Sequence, residues 1–234
     1  MICIPVVAKT NEAALAQMEK GFPLADILEL RIDRITDCDL DQLMRKKRAG
    51  KRILVTNRRA DEGGSFAGTE RERIALLKDA VALGADYVDI EARTEKPLLK
   101  ELAAQIKKHK GRTRWIISYH DLHGTPSEGA LKKRFDACSR TGADIVKICT
   151  YAHTMDDNLS LLGLIPYARK RGRSIIALCM GEKGRISRVM APLLGSYLSY
   201  ASLEKGAESA PGQLTVEEMK QIQKILHAAG TEER

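Results

Sequence analysis

The sequence predicts a (β/α)8 barrel of the TIM-barrel class, a single domain spanning residues 1–234. Three observations carry that prediction. Short β-branched runs alternate eight times with stretches of 3.6-residue apolar periodicity, the pattern of parallel strands joined by crossover helices. The length, 234 residues, suits one barrel, and no linker, low-complexity segment or shift of composition divides the chain. The segments GADYVDIE (84–91) and GADIVKIC (142–149) repeat one grammar of helix stop, aspartate and strand, two units apart. An open doubly wound sheet would use the same alternation. However, no Gly-x-Gly-x-x-Gly turn follows the first strand and no phosphate loop occurs.

In chain order the strands are expected at 2–7, 27–32, 52–56, 87–90, 115–119, 145–149, 174–178 and 197–201. The first lacks a basic flank and a small-residue cleavage site, so it reads as a strand and not a leader. The helices between them include TERERIALLKDAVALG (69–84) and SEGALKKRFDACSRTG (127–142), each closing on a glycine suited to the C′ position. Gly230 to Arg234 are polar and expected to fray. No apolar run approaches the roughly 20 residues that span a bilayer, so a soluble, cytoplasmic protein without membrane partners is expected.

The five cysteines, Cys3, Cys38, Cys138, Cys149 and Cys179, form no Cys-x-x-Cys pair and read as reduced, packed thiols. The net charge is +8, and the dense basic stretches are RKKRAGKR (45–52), KKHKGRTR (107–114) and RKRGR (169–173). Each falls at a predicted helix end just before a strand, where cations oppose the helix dipole. Few aromatics lie among these charges to stack on bases, so nucleic acid is not the expected partner.

In such a barrel the C-terminal strand ends carry the site. Strand 2 ends in ELRID, strand 3 runs into TNRRADEGG, strand 4 ends in DIE and strand 5 in SYHD. Strand 6 carries a lysine, MGEKGRISR follows strand 7, and ESAPGQ follows strand 8. Glu29, Arg31, Arg58, Glu91, His120, Lys147, Arg188 and Gln213 are thereby expected to converge on one rim. A barrel core is filled by Val, Ile and Leu, and charges buried there are costly unless they pair or bind something.

Lys147 sits between Val146 and Ile148 in a run that reads as buried strand. Loss of water disfavours an ammonium, and neighbouring arginines add to that. A fraction of neutral amine is therefore expected, the form that attacks a ketone to give a Schiff base. The alternatives are a lysine paired with a carboxylate such as Glu91, or one whose stem reaches the surface. His120 ends the preceding strand and is thus expected beside Lys147. A base next to an iminium-forming lysine is the apparatus for taking a proton beside a carbonyl and returning it to a leaving group. The alternative is a hydrogen-bonded core histidine.

Arg31, Arg58 and Arg188 suit a carboxylate or phosphate. Equally, Arg31 pairs with Glu29 or Asp33 as scaffold, and Arg188 is a solvated helix residue. In AESAPGQL, glycine and proline suggest a hinged loop that brings Ser209 and Gln213 over a polyhydroxylated ligand, or else a plain turn before a helix near Thr215. His109, His123, His153 and His227 make no metal-spaced set with the carboxylates, so no metal is expected.

Taken in order, ELRID, TNRRADEGG, SYHD, IVKI, MGEKGRISR and SAPGQ closely resemble type I 3-dehydroquinate dehydratase of the shikimate pathway, over nearly the whole chain. The resemblance implies a barrel, usually dimeric, that dehydrates 3-dehydroquinate to 3-dehydroshikimate by syn elimination through a lysine imine, without metal or added cofactor. It implies Lys147 as the imine lysine, His120 as the general acid/base, and Glu62, in the Arg-x-x-x-Glu-Gly-Gly segment, as the carboxylate that orients the histidine. Position alone does not single out Glu62. Glu29, Arg31, Arg58, Arg188, Ser209 and Gln213 match substrate-binding positions, with Arg188 as the carboxylate clamp. Two departures stand out. Many members begin with a β-hairpin that caps the barrel bottom, whereas this chain starts in strand 1. Some place a serine of the first strand near the substrate, and CIPVV has none. A class I aldolase also needs a barrel lysine, but it acts on open-chain, often phosphorylated sugars, and His120 with three arginines suits a carboxylated ring better. A basic barrel that binds RNA or an anionic metabolite is the non-enzymatic alternative.

Overall fold

In a computed structural model that describes residues 1–109 and 111–228, eight strands run parallel: β1 (Ile2–Val6), β2 (Ile27–Arg31), β3 (Arg52–Thr56), β4 (Tyr87–Glu91), β5 (Arg114–His120), β6 (Ile145–Tyr151), β7 (Ser174–Met180) and β8 (Ser199–Tyr200). The pairing order is β7-β6-β5-β4-β3-β2-β1-β8. Between β7 and β8 the Tyr197 N–H donates to the Ile175 carbonyl at 2.8 Å, which draws the sheet into a barrel. That contact also explains why β8 is shorter than expected. Tyr197 is turned toward β7, and only Ser199 and Tyr200 remain in register with Ile2 and Cys3 of β1. The expectation for Gly230 to Arg234 lies outside the described residues.

Helices fill the crossovers: α1 (Asn11–Gly21), α2 (Leu40–Arg45), α3 (Glu70–Ala82), α4 (Lys96–Lys108), α5 (Glu128–Ser139), α6 (Asp156–Leu162), α7 (Leu164–Arg169), α8 (Arg185–Leu194) and α9 (Val216–Ala228). Thr69 caps α3 in a reciprocal box with Glu72, and Ser127 caps α5. Gly84 follows the end of α3 at φ +84°, where an L side chain would be strained. The glycine after α5, Gly142, comes one position later, beyond Arg140 and Thr141. Among the described residues no helix is long and apolar enough to cross a membrane.

The repeated Gly-Ala-Asp grammar has a physical basis. Asp86 accepts the Ile53 N–H at 2.7 Å and Asp144 accepts the Trp115 N–H at 2.9 Å. Each aspartate therefore ties the entrance of its own strand to that of the strand before. Asp26 does the same for Ile2 at 2.7 Å. The basic stretches lie at these entrances, between α2 and β3, α4 and β5, and α7 and β7. Inside the same end, the Tyr87 and Tyr197 hydroxyls meet at 2.7 Å and Arg114 donates to Tyr197 at 2.7 Å. These contacts form a polar layer across the barrel bottom.

The pleat does the rest. Ile27, Leu54, Ile116, Ile145 and Ile176 fill the barrel interior, while a larger apolar layer lies between strands and helices. Two residues further along each strand, the same inward files carry Glu29, Thr56, Ser118, Lys147 and Leu178.

Candidate active site

Where the inward files end, they enclose a cavity of about 240 Å³ at the C-terminal ends of the strands. All nine side chains singled out as catalytic or binding residues line it. Glu91 does not: it is buried behind the wall, bound to Arg58 at 2.9 Å and Arg73 at 2.7 Å.

Lys147 is 4% exposed, and its partner is Asp89, not Glu91: Nζ lies 3.0 Å from Asp89 Oδ2 and 3.1 Å from Tyr200 Oη. Asp89 also binds Arg58 at 2.9 Å. Burial by itself would raise the Asp89 carboxyl, yet Arg58 and Lys147 hold it far below the usual carboxylate range. An ionised carboxylate therefore stands beside the amine throughout the physiological range.

His120 ends β5, and its neighbour across the ladder is Cys149, two residues beyond Lys147. Its Nδ1 is 2.9 Å from Glu62 Oε2, which also accepts the His120 backbone N–H at 3.0 Å. With the Nδ1 hydrogen donated to Glu62, Nε2 is left with a free lone pair. Burial, then the charges of Arg58 and Lys147, push His120 well below its ordinary value, so the ring is neutral. Burial lifts the Glu62 carboxyl to about 7. Glu62 reaches the histidine from a 3₁₀ turn (Ala60–Glu62) that Gly63 ends at φ +84°.

The three arginines differ. Arg31 binds Asp33 through two nitrogens, both at 2.8 Å. Arg58 has its fork filled by Asp89, Glu91 and Ser118. Arg188 is 1% exposed and no carboxylate pairs with it among the described residues. Its Nη2 reaches only the Pro211 carbonyl at 3.2 Å, and its Nε finds no acceptor. Burial pushes it down to about 10, still charged at neutral pH. An uncompensated guanidinium in a cavity is a site for an anion.

The loop after β8 lies over this cation. Ser209 N–H donates to Gln213 Oε1 and Gln213 Nε2 to Ser209 Oγ, both at 2.9 Å. The Gly181 N–H donates to Pro211 at 3.1 Å, and a Cβ on Gly212 would sit 2.1 Å from the Gly181 carbonyl oxygen. Glycine is required there for the two loops to touch.

A family model described as type I 3-dehydroquinase matches residues 2–229. The chain belongs to the type I 3-dehydroquinase family. A 3-dehydroquinate dehydratase of Methanocaldococcus jannaschii is 38% identical over 226 residues, covering 97% of this chain and 99% of that one. Solved type I 3-dehydroquinases agree in fold. The Clostridium difficile enzyme superposes with a TM-score of 0.88 at 26% identity, over 97% of this chain and 92% of that one. The 3-dehydroquinate dehydratase of Geobacillus kaustophilus gives 0.88 at 27% identity, over 100% and 92%.

Against this 3-dehydroquinase frame, sequence reasoning missed Asp89, Tyr200 and Arg34. Asp89 was legible: it is two residues before Glu91 on one strand and so shares its face. Tyr200 was legible in the same way, since it lies two residues after Leu198, with which it shares the interior cluster. Arg34 sits in a 3₁₀ turn (Ile32–Arg34) after β2 and lines the cavity mouth, with Nη2 3.5 Å from the Ser209 carbonyl. No periodicity marks it.

Proposed function

We propose that this 3-dehydroquinase dehydrates 3-dehydroquinate to 3-dehydroshikimate, a step of the shikimate pathway, through an imine on Lys147. The observation that carries the reading is the meeting, in one cavity, of a buried lysine, a neutral histidine oriented by a carboxylate, and the deeply buried Arg188, which no carboxylate pairs with among the described residues. The Lys147 amine adds to the substrate ketone. Water leaves, and the C=N bond forms as the iminium. That cation draws electrons from the neighbouring C–H, and His120 Nε2 takes the proton. The electron pair moves through the enamine to expel the ring hydroxyl, which receives the proton from the imidazolium, now paired with Glu62. Water then hydrolyses the product imine and frees the lysine. Acid and base are one group, so both transfers occur on one face of the ring, as syn elimination requires.

The substrate carboxylate is assigned to Arg188, which no carboxylate pairs with among the described residues. Glu29, which accepts from Thr56 at 2.8 Å, and the Ser209–Gln213 pair are assigned to the ring hydroxyls. Arg31 and Arg58 act by holding Asp33, Asp89 and Glu91 in place. The reading extends to a homodimer, for which Leu159, Ile186, Leu193 and Ile225 on α6, α8 and α9 offer exposed apolar surface.

Reductive trapping tests the assignment. Borohydride added to protein and 3-dehydroquinate is expected to fix one substrate-derived mass on the Lys147 peptide. Lys147→Ala is expected to fold, take no label and lose all turnover. Labelling of the alanine variant at the wild-type level would remove Lys147 as nucleophile.

A further inference from the structure

Tyr200 is the second partner of the Lys147 amine, and it does something that Asp89 alone cannot. Its ring is 4% exposed on the inner wall of β8, in register with Cys3, and its hydroxyl oxygen lies 3.1 Å from Nζ. Asp89 Oδ2 lies 3.0 Å from the same nitrogen. Both residues reach Nζ from different strands, β4 and β8, separated around the barrel by β1, β2 and β3.

A neutral primary amine has two N–H bonds and one lone pair, disposed tetrahedrally about the C–N axis. With one acceptor, the amine turns about that axis and its lone pair sweeps a circle. With two acceptors on different walls, both hydrogens are engaged and the lone pair has one direction left. Lys147 and Tyr200 line the same cavity, the space that a substrate ketone would enter. We infer that Tyr200 is a positioning residue for imine formation, its hydroxyl accepting one amine hydrogen so that the Lys147 lone pair faces the substrate carbonyl.

This rests on the imine reading above. Two features support it. Burial, and then the charge of Glu29, raise the Tyr200 phenol well above its ordinary value, so it remains a hydroxyl and adds no competing anion beside the lysine. The ring also lies against Nζ at 4.6 Å from its centroid, a contact that phenylalanine would keep. Removal of the hydroxyl alone is therefore a clean change.

The test is rapid-quench borohydride trapping with 3-dehydroquinate on wild type, Tyr200→Phe and Lys147→Ala. Tyr200→Phe is expected to label at Lys147 with a limiting rate about tenfold lower, the scale of one lost orienting hydrogen bond. Elimination from imine already formed is expected to be unchanged. A merely structural role does not move the balance between the two steps. Should Tyr200→Phe fail to fold, 3-fluorotyrosine at this position keeps the hydroxyl and weakens it as acceptor, and the same changes are expected in smaller measure. Trapping at the wild-type rate by a folded variant overturns the role of Tyr200. Absence of label at Lys147 in the wild type overturns instead the imine reading on which it stands.

Discussion

The two sides of the cavity are built on opposite electrostatic terms. On the β3 to β6 side the buried groups are partnered: Arg58 with Asp89 and Glu91, Lys147 with Asp89, and the neutral His120 ring with Glu62. On the side built by α8 and the loop after β8, Arg188 is buried with a single backbone carbonyl for company. Paired charges hold each other in geometry and leave little to offer a ligand. The unpaired one has lost its water and regains an equivalent only when an anion arrives. The first side is therefore arranged for chemistry and the second for capture, and substitutions on the two sides should fail differently.

The largest contrast is expected between two arginine-to-methionine variants. Arg58→Met leaves Asp89 and Glu91 short of a buried partner and is expected to cost about 3–5 kcal/mol of stability. Arg188→Met removes a buried charge that no carboxylate pairs with among the described residues, and its stability is expected to be unchanged or raised. Urea unfolding of both decides it, and equal losses would erase the distinction between the two sides.

Next in size is His120→Ala, expected to lower the elimination step by about 10²-fold or more, the scale of a positioned acid/base. Imine still forms on Lys147, slowly, so reducible covalent intermediate is expected to accumulate. Unimpaired turnover would move the base to Glu62.

Arg188→Lys sharpens the comparison from the capture side. A lysine cannot reproduce a two-pronged bond to a carboxylate. The contact exists before and during reaction, so KM is expected to rise about tenfold, roughly 1.4 kcal/mol, with a smaller fall in kcat. Steady-state kinetics showing an unchanged KM would return the carboxylate to Arg31 or Arg58.

The smallest effect concerns pH on the chemical side. The competent pair is ionised Glu62 with neutral His120. With the Glu62 carboxyl raised to about 7, kcat is expected to fall as pH drops below that value, and Glu62→Gln to lose this limb. Stability runs the other way. A folded-state value above the ordinary 4.5 favours the protonated form, so that contribution is present at low pH and lost as pH rises through about 7. Glu62→Gln is therefore expected to gain stability relative to wild type between about pH 5 and about pH 8 in paired denaturation curves.

Local chemistry determined much of this protein by itself. Eight apolar runs between periodic helices dictate the barrel, because parallel strands need crossovers and crossovers of this length are helices. Period-two alternation then dictates which strand-end residues face inward, which is why Glu29, His120 and Lys147 were legible from position alone. Glu62 was not, since it sits in a 3₁₀ turn whose path no periodicity sets, and only family resemblance pointed to it. What the tertiary structure alone decided is the pairing. Sequence reasoning left Lys147 with Glu91 as its candidate partner, and position alone grouped Arg31, Arg58 and Arg188, with only the family resemblance singling out Arg188 as the clamp. In the barrel Asp89 takes the lysine, Arg58 and Arg73 take Glu91, Asp33 takes Arg31, and Arg188 is left over. Residue type and spacing say which charges reach one rim. Which of them neutralise one another depends on distances of about 3 Å across strands that are remote in sequence, and those are set by the closure of the barrel.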